Sequence, residues 1–141
     1  MTRPTANRRS ALALMGSGVA SLALVACGRS AEAKSFPVSR SEAEWRKRLT
    51  AAEFRVLREE GTERAYSSPL NDNKASGTYA CAGCGNAVYS SEHKYDSGTG
   101  WPSFWRPIKS SAVGTSRDLK LGYPRTEVHC ARCGGHLGHI F

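Results

Sequence analysis

The 141-residue chain is long enough for one domain and an appendage, and a second full domain does not fit. Its formal net charge of +8 is unevenly divided: residues 1–33 carry four arginines against one acid, and residues 34–141 carry 16 basic and 11 acidic side chains. Because the charges of the longer part are scattered and mixed in sign, a phosphate-binding surface is disfavoured and nucleic acid is not an expected partner.

The N-terminal segment, residues 1–33, is predicted to be a signal peptide. Arginines without acids occupy residues 3–9, and an apolar stretch follows at residues 11–26. This stretch has 16 residues and includes two glycines, whereas a membrane-spanning helix needs about 20 strongly apolar residues. An export signal is therefore favoured over a permanent transmembrane anchor.

Two processing sites remain open within this segment. The sequence LVAC at residues 24–27 resembles the lipobox of bacterial lipoproteins, in which Cys27 would be lipidated. The arginine pair at residues 8–9 resembles a twin-arginine export signal. The sequence AEA at residues 31–33 instead fits a cleavage site that would release a soluble protein. The expected location is the periplasm, either free or anchored to the membrane as a lipoprotein.

Residues 34–41 are expected to form a polar linker, after which the folded domain begins with a short helix. Ser41 and Glu44 have the spacing of a capping box, in which each side chain binds the other residue's backbone N–H. We predict a helix from there through Arg48, with Trp45 on its buried face.

The capping pattern recurs in Thr50 and Glu53, which predicts a second helix over about residues 51–60. Gly61 stands where a left-handed C-terminal cap belongs. Further along the chain, short aromatic and β-branched runs are separated by Gly, Pro, Asn and Asp. The fold predicted for this part is a small antiparallel β domain.

Two CxxC pairs indicate a metal site with four thiolate ligands. The predicted ligands are Cys81, Cys84, Cys130 and Cys133. Zn²⁺ prefers four tetrahedral ligands, and a glycine after each pair lets the backbone fold around the sulfurs. Such a closed shell has no open position, so the predicted zinc is structural. The alternatives are disulfides, which an exported protein can form, and less plausibly a redox-active CxxC.

The motifs of residues 42–141 resemble those of the B-type methionine sulfoxide reductases. The matching segments are EWRKRLTAAEFRVLREEGTERAYSSPL, GTYACAGCG, KYDSGTGWPSFWRPI and RTEVHCARCGGHLGHIF. The resemblance implies a mainly β fold of two small antiparallel sheets with short N-terminal helices and a structural zinc. It also implies reduction of methionine-R-sulfoxide in oxidised proteins or peptides, with a thioredoxin-like reductant.

The same resemblance suggests roles for three residues. Trp101 matches the aromatic wall that packs against the sulfoxide methyl group, and His136 and His139 match the active-site histidines. Without the resemblance, Trp101 could be a core residue and the histidines could belong to a turn beside the second CxxC pair. A histidine suits this chemistry because its ordinary pKa lies near neutrality.

The chain departs from the family pattern at both cysteines of the reaction. Family members carry the nucleophilic cysteine in a final strand beyond the HLGH motif, and Thr99 stands where many members have the resolving cysteine. An alcohol is a far poorer nucleophile than a thiolate at neutral pH. We expect a reductase domain without its final strand, inactive as written. The alternative is a non-catalytic, zinc-stabilised module that binds methionine sulfoxide.

Overall fold

The computed structural model describes residues 35–141, so the predicted signal peptide and Cys27 lie outside the described residues. Two helices, α1 (Glu42–Arg48) and α2 (Ala51–Glu59), precede the strands, and neither is long and apolar enough to cross a membrane. The strands are β1 (Thr78–Ala80), β2 (Ala87–Ser90), β3 (Lys94–Tyr95), β4 (Ser103–Phe104), β5 (Val113–Asp118), β6 (Arg125–Cys130) and β7 (His136–Ile140). The predicted mainly β fold with short N-terminal helices is confirmed.

Every strand pairing is antiparallel, and the strands form three ladders. Strand β1 pairs with β2, β3 pairs with β4, and β5, β6 and β7 form a three-stranded sheet in that order. The two short ladders share an aromatic cluster: the ring of Phe104 in β4 stacks on Tyr89 in β2 at 4.4 Å and meets the edge of Tyr79 in β1 at 4.8 Å. Such aromatic pairs stabilise packing beyond their buried area.

Both predicted capping boxes are present. The Ser41 and Glu44 side chains bind each other's backbone N–H, and Thr50 and Glu53 do the same at the start of α2. Each boundary is fixed locally, because a cap of this kind is worth about 0.5–2 kcal/mol.

The predicted left-handed cap at Gly61 is wrong by one residue. Helix α2 ends at Glu59, and Glu60 adopts the left-handed conformation with φ 54°. Gly61 is needed for a different reason: its N–H binds the Arg55 carbonyl at 2.9 Å, and a Cβ at Gly61 would lie 2.9 Å from that same oxygen. The glycine therefore permits a close approach of backbone to backbone.

The hydrophobic core lies between the helices and the two CxxC turns. Trp45, Leu49, Phe54 and Leu57 of the helical region are all buried and pack in one cluster with three of the cysteines. A Cβ added at Gly135 would lie 2.9 Å from the Leu57 side chain, so α2 sits directly on the second turn. Burial of side chains of this size contributes about 1.5–3 kcal/mol each.

Residues of the expected linker also contact the domain. The Val38 N–H donates to the Arg132 carbonyl at 2.8 Å. The Phe36 ring covers Gly134 and leaves no room for a Cβ there, and it meets the His129 ring edge-on at 5.6 Å. The folded part of the chain therefore starts before residue 42. We call residues 36–38, which cover the second CxxC turn, the N-terminal strap.

The four predicted metal ligands lie together. The Sγ atoms of Cys81 and Cys133 are 3.7 Å apart, those of Cys84 and Cys130 are 3.6 Å apart, and all four lie within 4.8 Å of one another. A disulfide needs sulfurs about 2.05 Å apart, whereas ligands at about 2.3 Å from a tetrahedral zinc would be separated by about 3.8 Å. The spacing fits one metal ion such as zinc, and all four cysteines are free thiols.

The CxxC turns present the sulfurs through local backbone bonds. Gly85 N–H binds the Cys81 carbonyl at 2.8 Å and Gly134 N–H binds the Cys130 carbonyl at 2.9 Å, both glycines having positive φ. A hydrogen bond from the Cys133 thiol lowers the pKa of Cys81 well below its usual range, which favours a thiolate there. The same bond raises the pKa of Cys133, and a bound cation would displace that proton.

If the four thiols hold a metal ion, its removal should unfold the domain. Cys130 is fully buried and belongs to the core, and structural zinc sites contribute about 10–16 kcal/mol, comparable with the whole stability of a domain. Chelation, or the change Cys130→Ser, should abolish the cooperative thermal transition followed by circular dichroism. Cys27→Ser changes the same residue type outside the cluster and should leave the transition in place. An unaltered melting temperature after verified metal loss would contradict this account.

Candidate active site

Two histidines project from β7, at the edge of the three-stranded sheet. In a regular strand, residues three apart face opposite sides. Here the register between β6 and β7 shifts: Val128 pairs with Gly138 and His129 pairs with His136, which leaves Leu137 as the extra residue of a bulge. Because the bulge adds one residue, it shifts the alternation of side chains between the two faces of the strand, and His136 and His139 come to lie on the same face. Their rings meet at 5.2 Å.

Gly138 is the residue that allows this bend. Its φ is +143°, a conformation that residues with a side chain rarely adopt. In the motif HLGH the glycine therefore gives the backbone geometry that brings the two flanking histidines together.

Each histidine of β7 is held by a carboxylate of the same sheet, His136 by one in the adjacent strand β6 and His139 by one in β5. Asp118 Oδ2 lies 2.7 Å from His139 Nε2, and Glu127 Oε1 lies 2.9 Å from His136 Nδ1. All four side chains are largely buried, with exposed fractions between 5% and 14%. The pairs are therefore shielded from bulk water, which strengthens their electrostatic attraction.

Cross-strand partners hold the carboxylates in turn. Arg125, directly opposite Asp118, binds it through Nη2, and Ser116, directly opposite Glu127, donates its hydroxyl to Oε2. The sequence analysis missed these groups. A usable signal was present in the sequence: polar residues stand two positions apart at 116 and 118 and again at 125 and 127. Side chains two apart in a strand share a face, so in paired strands these four can lie together.

Both carboxylates remain ionised at neutral pH. The Lys120 backbone N–H, followed by His139 and Arg125, lowers the pKa of Asp118 to about 2. Burial raises the pKa of Glu127, but hydrogen bonds from Ser116 and His136 outweigh it and leave that pKa below its ordinary value. An ionised carboxylate only accepts hydrogen bonds.

The ionised carboxylates fix the tautomers of the two imidazoles. The proton that faces Asp118 is on Nε2 of His139, and the proton that faces Glu127 is on Nδ1 of His136, an assignment that follows from the hydrogen-bond network. The opposite nitrogens, Nδ1 of His139 and Nε2 of His136, are left to accept or deliver a proton.

Trp101 lies in the loop between β3 and β4. Its side chain is 39% exposed, and its indole N–H donates to the Glu63 carbonyl at 2.9 Å. It borders a cavity of about 360 Å³ with Tyr66, Asn71 and Tyr95 among the other lining residues. Within residues 35–141 the lining of this cavity includes neither histidine. The structure thus brings the two histidines together and places Trp101 at the border of this cavity.

Thr99 lies two residues before Trp101 and is exposed. Its hydroxyl lies 2.7 Å from that of Ser97, which in turn lies 2.7 Å from that of Ser103. This hydroxyl chain has no thiol, so Thr99 contributes hydrogen bonding to the loop rather than redox chemistry.

Asp118→Asn should alter the acid stability of the protein. Because the pKa of Asp118 falls from 3.8 to about 2 on folding, its ionised form adds stability that is fully present above about pH 5 and is lost as the pH falls through 2. The free energy of unfolding should be larger for the unaltered protein than for the variant. The difference should be constant above about pH 5 and shrink as the pH falls below it. Urea denaturation at stepped pH measures this difference.

Asp72→Asn is the matched control, since Asp72 is exposed and forms no hydrogen bond or ion pair with the described residues. It should show no such pH dependence. A difference between the Asp118 variant and the unaltered protein that stays constant down to pH 2 would refute the coupling of Asp118 to its partners.

A family model and known proteins match most of this chain. A SelR domain model matches residues 49–141. The peptide methionine sulfoxide reductase MsrB of Leptospira interrogans is 47% identical over 107 residues, which are 76% of this chain and 82% of that protein. The MsrB proteins of Bradyrhizobium diazoefficiens and Methanosarcina barkeri are each 50% identical over 104 residues, 74% of this chain and 75% and 73% of those proteins. This chain therefore belongs to the SelR family, that of the B-type peptide methionine sulfoxide reductases.

Proposed function

We propose that this protein reduces methionine-R-sulfoxide in oxidised proteins or peptides, with a thioredoxin-like dithiol as the final reductant. The observation that carries the proposal is the pair of histidines on one face of the sheet, each oriented by an ionised carboxylate. Transfer of the sulfoxide oxygen requires its protonation, and the nitrogen of His139 or His136 opposite its carboxylate is free to take up a proton and deliver it to that oxygen.

The reaction follows from the chemistry of sulfur. A thiolate attacks the sulfoxide sulfur while the oxygen accepts one proton; the bond between that sulfur and the oxygen breaks, the oxygen is transferred to the cysteine sulfur, and the products are methionine and a sulfenic acid on the enzyme. A second thiol condenses with the sulfenic acid and releases water, and an external dithiol reduces the resulting disulfide. In this scheme Trp101 would pack its exposed face against the methyl group of the substrate.

The proposal places the nucleophilic cysteine on a segment that follows Phe141. The sequence has five cysteines, of which four form the metal cluster and the fifth, Cys27, belongs to the predicted signal region. A thiolate bound in a closed metal shell has no role as a nucleophile here. We also propose that the metal is zinc, since four soft thiolates in a closed tetrahedral shell are its characteristic ligands.

The test begins with protein isolated from its native source, whose intact mass shows where the chain ends. A mass larger than that of a processed chain ending at Phe141, with a cysteine in the added segment and reduction of the R but not the S epimer of a methionine sulfoxide peptide, would support the proposal. A chain ending at Phe141 that binds the sulfoxide without turnover would instead establish a binding module. Metal analysis of the same sample identifies the ion.

His139→Asn should slow the chemical step in the native-source form of the protein. Loss of a positioned proton donor costs on the order of 10²–10⁴-fold in rate, and the effect should appear in single-turnover reduction of a peptide methionine-R-sulfoxide. The same change at His93 is the control, because His93 is also buried but accepts a hydrogen bond from Arg106 and contacts neither carboxylate. Equal losses in the two variants would assign the effect to stability.

We propose further that the protein is exported and anchored through a lipid on Cys27. The support is the sequence pattern at residues 24–27 behind an arginine-rich start and an apolar run. Cys27→Ser should move the protein from the membrane fraction to the soluble fraction of fractionated cells. Recovery of the unaltered protein in the soluble periplasmic fraction would favour cleavage at residues 31–33 instead.

A further inference from the structure

Lys94 in β3 binds the loop before β1 in an unusual way. Its ammonium group contacts three backbone carbonyls, those of Leu70 at 2.5 Å, Asn71 at 3.0 Å and Asn73 at 2.8 Å. An ammonium has three N–H donors, so all three are used on one short stretch of chain. Lys94 makes no ion pair with a carboxylate among residues 35–141, and the side chain is half-buried.

The loop that Lys94 binds is connected to the backbone next to Trp101. The Asn71 side-chain amide donates to the Gly100 carbonyl at 2.8 Å, and the Tyr66 backbone N–H donates to that same oxygen at 2.7 Å. The Tyr66 hydroxyl also binds the Gly98 carbonyl at 2.8 Å. The segment from Tyr66 to Asn73 therefore holds the backbone directly before Trp101, while the Glu63 carbonyl holds its indole.

Space around Gly100 shows how closely these segments approach. A Cβ added at Gly100 would lie 2.8 Å from the Tyr66 ring and 2.9 Å from the Tyr66 backbone nitrogen, and Gly100 has φ +86°. The contact between the two segments is thus tight, and a small displacement of one must be taken up by the other.

We propose that Lys94 is a positioning residue for Trp101. Its ammonium fixes the positions of the three carbonyls that it binds, as a bound cation would. This holds Asn71 in place, and the hydrogen bond from Asn71 to the Gly100 carbonyl in turn fixes the backbone directly before Trp101. The positioning of Trp101 by Lys94 follows from the contacts alone; only the expected effect on sulfoxide binding rests on the proposed function. Lys94 itself touches neither histidine pair, so its loss should weaken sulfoxide binding and leave the histidines unchanged.

Lys94→Met keeps the length of the side chain and removes all three donors. In the metal-loaded full chain, the ¹H–¹⁵N resonance of the Trp101 indole should shift and broaden, while that of Trp45, which packs beside the metal cluster, should stay in place. Binding of a peptide methionine-R-sulfoxide, followed by the same spectra, should weaken about two- to tenfold, the range expected for loss of net hydrogen bonding.

Lys109→Met is the matched control, because the Lys109 side chain is exposed and forms no hydrogen bond or ion pair with the described residues; the carbonyl that accepts from the Ala112 N–H belongs to the backbone and is unchanged. Lys94→Arg retains the charge, but a planar guanidinium cannot direct three donors in the same arrangement. The Arg variant should resemble the Met variant. Full recovery by arginine, or an equal effect of Lys109→Met, would overturn the inference.

Asn71→Ala removes the next contact in the series and covers the case in which the Lys94 variant does not fold. It should shift the Trp101 indole resonance in the same direction with the Lys94 contacts intact. An unshifted Trp101 resonance in this variant would refute the connection through Asn71. If the indole resonances move as expected but no form binds the sulfoxide peptide, the positioning role stands and the proposed function fails.

Discussion

The cluster of four thiols is the constraint on which the rest of the structure depends. Each CxxC pair forms the turn of a hairpin, the first between β1 and β2 and the second between β6 and β7. The close sulfur pairs cross from one turn to the other, so the cluster ties together segments 46 and 52 residues apart in sequence. The strands have only two to six residues each, so a link between distant hairpins adds substantially to the stability of a domain of this size.

The helices and the N-terminal strap add an apolar shell to this cluster. Trp45 and Leu57 cover the two turns from one side, and Phe36 covers Gly134. The Arg58 guanidinium donates to the Cys133 carbonyl at 2.9 Å and lies over the Trp45 ring. Exclusion of water in this way protects the sulfurs and fixes the position of β7, which starts immediately after the second turn.

The position of β7 matters because the candidate active site is built on it. The rigid second turn sets where β7 begins, the bulge at Leu137 sets the direction of its histidines, and the polar face of β5 and β6 supplies Asp118 and Glu127. Trp101 is placed by a different set of contacts, through Glu63, Tyr66 and Asn71. The molecule thus positions the two histidines and Trp101 through separate sets of contacts.

The sequence by itself determined the features that depend on neighbours in the chain. The capping boxes at Ser41 and Thr50, the CxxC turns with their glycines, and the family membership all follow from local patterns, because caps and metal ligands obey short fixed spacings. The sequence also favoured a metal site over disulfides, because two CxxC motifs together supply the four ligands that a tetrahedral ion needs.

The tertiary structure alone decided the rest. The left-handed residue at Glu60 and the bulge that brings His136 and His139 to one face are visible only in the structure. So is the pairing of these histidines with Glu127 and Asp118. The tertiary structure also directed the Lys94 ammonium to three carbonyls. These features depend on the register between strands and on contacts between distant segments, which the order of residue types along the chain does not specify.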